Sequence, residues 1–212
     1  MKAIVMSHSR SGFRAPCGLV LLCAMQLMLA CAPTARVTRV DEAAVTDVSG
    51  RWNDTDSRLV AEQMIAECLA SPWIDKATAT LGRSPVVIVQ KVRNQSMEHI
   101  QTAPFVEELQ RALINSGVIE FVADSRERQS LREERMDQDR NASDETRQEM
   151  GAETGADYSL KGEINATLDR SGGTGVMAYQ VNLKLIHIKT NKIVWNGQKK
   201  VKKVIQRDAW RM

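Results

Sequence analysis

The chain has 212 residues, 29 of them Lys or Arg and 26 Asp or Glu, for a formal net charge of +3 at pH 7. Three of the basic residues, Lys2, Arg10 and Arg14, lie in an acid-free N-terminal stretch, and the sequence beyond residue 30 carries 26 charges of each sign. That balance removes the positive excess through which nucleic acid is bound by counterion release, and the length suffices for one ordinary hydrophobic core.

The basic start leads into an apolar run from Gly18 that ends in Met28-Leu29-Ala30-Cys31. About 11 apolar residues make the central region of an export signal and are too few to span a bilayer. Small Ala30 directly before a cysteine is the pattern of a lipoprotein signal, in which Cys31 carries a diacylglycerol and becomes the first mature residue. Met28 stands where that pattern usually has Leu. Residues 1–30 are therefore read as signal peptide, and Ala32, in place of an acid, implies an outer-membrane anchor on the periplasmic face. With Cys31 acylated, Cys68 is the remaining thiol and no internal disulfide is expected. Residues 31–53 read as the lipidated cysteine and a polar tether, and residues 54–212 as the globular domain.

Asp54 or Asp56 is expected to cap a first helix in which Leu59, Val60, Met64, Ile65 and Leu69 recur near helical spacing, and Ser71-Pro72 stops it. Cys68 lies close to that stripe and reads as a small buried hydrophobe. A shorter helix runs from Trp73 to near Gly82. Pro85 to Val92 is a β-branched apolar run and reads as a buried strand. Thr102 is expected to cap a helix with Pro104 in its first turn, with Phe105, Val106, Leu109, Leu113 and Ile114 inward and an end at Asn115-Ser116-Gly117. Val118 to Val122 reads as another short strand. Ser125 to Met136 is dominated by Arg and Glu around Leu131 and Met136, which predicts an exposed helix held by charge pairs. Asn141-Ala142-Ser143 breaks the chain before a further expected helix from Asp144 to Glu153.

The last third has a period of two. Tyr158, Leu160, Gly162, Ile164, Ala166 and Leu168 alternate with Ser159, Lys161, Glu163, Asn165 and Thr167, which predicts a strand with one buried face. Gly172, Gly173 and Gly175 turn the chain into a second such strand through Tyr179, Val181, Leu183 and Leu185. Lys189-Thr190-Asn191-Lys192 turns it again into Ile193 and on to about Val204. The expected fold is α+β, with a mixed, largely antiparallel sheet of about five strands packed against helices.

Several segments carry a resemblance when taken in order: GRWNDTDSRLVAEQMI, PVVIVQKVRNQSMEHI, FVEELQRALINSG, LREERMDQDRNAS, GADYSLKGEI and YQVNLKLIHIKTNKIVWNGQKKVKKVI. Together they resemble the LpoB family of outer-membrane lipoprotein activators of penicillin-binding proteins. GADYSLKGEI alone is also similar to strand openings in the N-terminal domain of TolB and in CsgG-like lipoproteins. The resemblance implies a periplasmic domain that docks on a class A penicillin-binding protein, a bifunctional peptidoglycan synthase, and raises its activity without chemistry of its own. Some members carry a long Pro-rich tether, whereas the stretch from Ala32 to about Asn53 is short and holds one proline.

The residues agree with a non-enzyme. His99 and His187 are far apart in sequence, and the glycine-rich turn joins two strands, whereas a phosphate cradle would lead into a helix. Asp54 and Asp56 imitate a glycosidase pair, but helix capping accounts for them. The sequons at Asn53, Asn94, Asn141 and Asn165 are short enough to arise by chance in polar loops. No cofactor, metal or small-molecule substrate is expected. A structural or pore-forming CsgG-like role is the alternative; it needs lipid-facing strands, and Tyr179 to Leu185 is better used in the core. Contact activation needs an exposed polar patch, and Arg135, Asp137, Gln138 and Asp139 are the candidate partner-binding residues. The strand faces around Lys161, Glu163, Asn182 and Lys184 form a competing patch.

Overall fold

A computed structural model describes residues 37–149, 151 and 153–206. The signal sequence and Cys31 lie outside the described residues. Contacts divide the chain into two units, with the boundary between Glu42 and Ala43. Among the described residues the second unit holds four helices and five strands: α1 (Asp54–Leu69), α2 (Trp73–Leu81), β1 (Val86–Asn94), α3 (Ala103–Asn115), β2 (Glu120–Phe121), α4 (Ser125–Asn141), β3 (Tyr158–Ser171), β4 (Thr174–His187) and β5 (Ile193–Gln206).

The strands form one sheet in the order β2-β1-β3-β4-β5. β1 is parallel to β2 and β3, while β3, β4 and β5 are antiparallel neighbours. The α+β class and the mixed sheet therefore match the sequence expectation. β3 and β4 pair along their whole length across a two-residue turn, from Tyr158 opposite His187 to Ser171 opposite Thr174. Gly172 adopts φ +57° there, a conformation that glycine enters without steric cost.

Alternation decides what each face of the sheet meets. Leu160 and Ile164 of β3 and Tyr179, Val181, Leu183 and Leu185 of β4 join Val60, Met64 and Ile65 of α1 and Phe105, Leu109 and Leu113 of α3 in the core. Leu183 lies opposite Gly162 on one side and Gly197 on the other. A Cβ at Gly162 would collide with Leu183, and one at Gly197 with the indole of Trp195, so both glycines give core side chains the room they occupy.

Three details of the helices depart from expectation. Asn53 caps α1: its side chain accepts the Asp56 amide at 3.0 Å, while Asp56 Oδ2 accepts the Asn53 amide at 3.0 Å, the reciprocal arrangement of a capping box. Thr102 occupies the cap position of α3 without making a side-chain cap bond. Leu59 and Ile114 are exposed, not inward, each lying next to a better placed core residue, Val60 and Leu113. Cys68 is buried as expected, and burial pushes its thiol up to about 12.

The expected helix from Asp144 to Glu153 is absent among the described residues of that stretch, which form turns and irregular chain. It has no apolar face to bury, and helix propensity alone does not hold a segment of that length. Polar ties replace it: Arg132 and Arg135 bond Glu153, Arg147 pairs with Asp139 at 3.3 Å, and the Gln148 amide donates to Gln138 Oε1 at 3.2 Å.

The folded unit also takes in the end of the segment read as tether. Arg58 donates to the Ala43 carbonyl at 3.3 Å, and Asn53 Nδ2 donates to the Thr46 carbonyl and to Asp47. From β5, Lys203 reaches Asp56 Oδ2 at 2.6 Å, Asp47 Oδ1 at 2.5 Å and the Arg51 carbonyl at 3.1 Å. Burial opposes the Lys203 ammonium, but the Asp47 and Asp56 carboxylates outweigh it and hold its pKa above the usual lysine value. The side chains of Lys203 and Asp56 are only 7% and 8% exposed. Removing one partner of such a pair strands the other charge, which costs about 3–5 kcal/mol. Lys203→Ala is therefore expected to destabilise the domain by about that amount in urea unfolding, and Asp47→Ala, at the exposed rim, by under about 1 kcal/mol. Equal losses from the two would contradict this placement of the charge.

Candidate docking surface

Helix α4 begins where Asp124 Oδ1 accepts the amides of Arg126 and Glu127 at 2.7 and 3.0 Å, and Glu127 Oε2 accepts the Asp124 amide at 2.7 Å. Those backbone bonds, Glu127's first, hold the Asp124 carboxyl below its usual pKa. None of the helix's 17 residues is buried, so caps and polar pairs carry it.

The four candidate residues lie together near its end. Arg135 is half-buried against Glu153, its Nη1 3.1 Å from the carboxylate. Asp137 accepts from Asn141 at 2.9 Å, Gln138 donates to Glu134 at 3.0 Å, and Asp139 pairs with Arg147. Three of the four thus also tie the segment 143–153 to the helix.

The competing residues are brought into one cleft. Lys161 and Glu163 of β3 face Lys184 and Asn182 of β4 directly across the ladder. They line a cleft of about 700 Å³ with Lys91 and Arg93 of β1 and Arg126 and Arg128 at the start of α4. Six cations therefore face two acids, and both acids are engaged: Asp124 caps α4, and Glu163 pairs with Arg93 at 3.4 Å. The register shift in β1 between Val89 and Val92 leaves Gln90 and Lys91 both exposed and both on this cleft. Beside it, Asn182 Oδ1 accepts from Gln180 at 3.2 Å and Gln198 at 3.1 Å, an amide ladder across β4 and β5. Sequence reading found Lys161, Glu163, Asn182 and Lys184 from their alternation. It missed Lys91, Arg93, Arg126 and Arg128, which approach from elements distant in sequence; only Lys91 had a local signal, the polar pair Gln90-Lys91 that interrupts the apolar run of β1.

Among the described residues no group of three His, Cys, Asp or Glu could hold a metal ion, and no helix is long and apolar enough to cross a membrane. A one-sided α+β sheet with a cationic, amide-rich outer face has the features of a protein-contact domain. The family described as peptidoglycan-synthase activator LpoB matches residues 56–201, about two thirds of the sequence, and the chain belongs to that family. Among solved structures it is similar to the LpoB C-terminal domain from Salmonella enterica, at 18% identity over 70% of this chain and 99% of that one with a TM-score of 0.42. It is also similar to the LpoB C-terminal domain from Escherichia coli (21% identity, 62% and 94% coverage, TM-score 0.38) and to LpoB of Escherichia coli solved by NMR (17%, 98% and 91%, 0.41). No curated protein sequence matches this chain.

The ties around α4 predict their own acid response. The Arg132 guanidinium, with Arg135 beside it, holds the Glu153 carboxyl down at about 2, against 4.5 for a free side chain. A depressed carboxylate contributes stability that is fully present above its unfolded pKa and lost as pH falls through its folded pKa. The Glu153 carboxyl resonance in NMR should thus titrate with a midpoint near 2, and 1 M salt should move it toward 4.5 because the pair is exposed. A midpoint near 4.5 at low salt would contradict the pairing.

Proposed function

We propose that this protein is a lipid-anchored activator of peptidoglycan synthesis, lipidated at Cys31 and held on the periplasmic face of the outer membrane. Its folded unit docks on a class A penicillin-binding protein and raises that enzyme's activity by contact alone. The observation that supports this reading, beyond family membership, is the cationic cleft on the outer side of the sheet, whose charge exceeds anything needed to hold the fold. Docking spans the cleft and the end of α4 with Arg135, Asp137, Gln138 and Asp139. The pore-forming alternative is disfavoured because Tyr179, Val181, Leu183 and Leu185 are at most 1% exposed in the core, leaving β4 no apolar stripe for lipid.

Charge reversal separates the two parts of this surface. Lys161→Glu with Lys184→Glu is expected to weaken capture of the synthase at least tenfold, about 1.4 kcal/mol, without lowering the melting temperature. Arg135→Glu with Asp139→Lys is expected to cost less and to loosen the segment 143–153 as well. Undiminished capture by both variants would remove this docking face.

Reach sets a second expectation. With the folded unit starting at Ala43, residues 32–42 separate it from the proposed anchor, and even fully extended they reach only about 40 Å. Deleting residues 34–41 should therefore abolish stimulation in cells yet leave it intact with purified, unlipidated protein. Cys31→Ser should release the protein from the membrane fraction. Equal loss of stimulation in both assays would place the segment in the docking surface itself.

A further inference from the structure

A second concave site lies away from the cleft, between α2 and the turn joining β4 to β5, with a volume of about 560 Å³. Its floor is aromatic: Trp73 and Tyr158 have ring centroids 5.2 Å apart, and His187 lies 5.1 Å from Tyr158 on the other side. Ala77, Leu81 and Val194 complete the apolar lining. Val194 is the extra residue of a β-bulge, since Leu185 pairs with Trp195 and Ile186 with Ile193, and such a bulge re-aims a side chain that regular pairing would place elsewhere. Two ammonium groups, Lys76 from α2 and Lys192 from the turn, stand on the rim, and no carboxylate lines the site. Neither ammonium has an ion-pair or hydrogen-bond partner among the described residues. His187 Nδ1 is 2.7 Å from Thr190 Oγ1, which fixes the ring beneath that rim.

We propose that this groove is a second protein-contact site, taking an acidic peptide segment that lays a large apolar side chain over Tyr158 between Lys76 and Lys192. Charge selects the acid: two unpaired cations at a site that no carboxylate lines complement negative groups flanking the buried side chain. Shape selects a side chain, because an apolar floor at the bottom of a concavity gains by burial what a flat anionic surface could not deliver. The sheet favours a peptide over a free acyl carboxylate. β5, which begins at Ile193 beside the groove, is an edge strand, and its outer side offers the main-chain groups that an extended peptide pairs with. The site goes beyond the synthase reading and does not depend on it, since none of its residues lies on the cleft.

Titration of the full chain carrying Cys31→Ser with the blocked peptide acetyl-Glu-Glu-Leu-Glu-Glu-amide, followed by amide NMR shifts, tests this directly. Shifts confined to 71–81 and 187–194 are expected. Replacing the peptide's Leu by Ser, or reversing Lys76 and Lys192 to Glu, should each weaken binding tenfold or more. Both lysines are exposed, and Thr80→Trp, which fills the groove from its exposed wall, provides a second variant that should abolish binding with the melting temperature unchanged. Binding that survives these changes but is lost on Lys161→Glu with Lys184→Glu would assign the peptide to the cleft and overturn the proposal. So would binding of dodecanoate without binding of the peptide, or binding of neither.

Discussion

The pairing of Asp56 with Lys203 joins the two ends of the folded unit, and much of the architecture depends on it. Asp56 Oδ2 already accepts the Asn53 amide that opens α1, so the same oxygen caps the helix and receives the ammonium from the last strand. A buried ion pair of this kind adds little net stability over an apolar pair of equal volume, because both ions lose their hydration. Its value is in specifying register. The inner side of β5 reads Trp195, Gly197, Lys199, Val201, Lys203 and Ile205, and the one register that sets Gly197 opposite Leu183 also sets Lys203 against Asp56 and the Arg51 carbonyl. The same contact brings the chain before α1 across the sheet, where Trp52 meets Phe105 and Tyr179 edge-on at 6.0 and 5.4 Å.

With that end closed, α1 and α3 occupy the inner face and the outer face is left polar. Alternation in the middle of the long strands sets inward Leu160, Ile164, Val181 and Leu183 against outward Lys161, Asn165, Asn182 and Lys184. On β1 the outer face is apolar and buried at Val86 and Ile88, and a small Ser159 sits beside Ile88. Its hydroxyl is buried without a partner among the described residues, a modest cost that matches its place under larger neighbours. The polar part of the face is consequently free of any packing task, which is the condition for a surface to be shaped by a partner.

How much of this was legible in the sequence follows from how local each signal is. Alternation across β3 and β4 and the turn glycine at Gly172 depend on residues adjacent in sequence, and both were readable. So were the buried Cys68 and the Phe105, Leu109 and Leu113 face of α3. Choices between neighbours were not, because Leu59 and Val60, or Leu113 and Ile114, satisfy the same helical period and only the direction of packing separates them. The cap at Asn53 was missed for a similar reason: Asn53, Asp54 and Asp56 are all competent caps, and the partner Lys203 that fixes the role of Asp56 lies 147 residues away. The stretch from Asp144 was read from a cap and a helix-compatible composition, yet it has no face to bury. The docking surface was half legible, since strand alternation displays Lys161 and Lys184, whereas Arg126 and Arg128 join them only through the fold.

Neutral composition and a cationic cleft are reconciled by how the charges are spent. Acids are consumed in fixed duties: Asp124 and Asp56 cap helices, Glu153 ties the segment after α4, and Asp157 is held by two bonds from Arg83 at 2.8 and 2.9 Å and by the Val86 amide at 2.8 Å. Burial would raise the Asp157 carboxyl, but those donors outweigh it and keep its pKa below the usual value. Basic residues are used less completely, so Lys91, Arg126, Arg128, Lys161 and Lys184 carry no side-chain ion pair among the described residues and share one concavity. A sequence whose charges balance beyond residue 30, and so attracts distant polyanions little, can in this way present a steep local field. Such a field acts within a Debye length of about 8 Å at physiological salt, so it orients a partner already tethered nearby more than it recruits one from afar. That division of labour suits a protein whose proposed anchor and short reach supply the proximity, leaving the cleft to supply orientation.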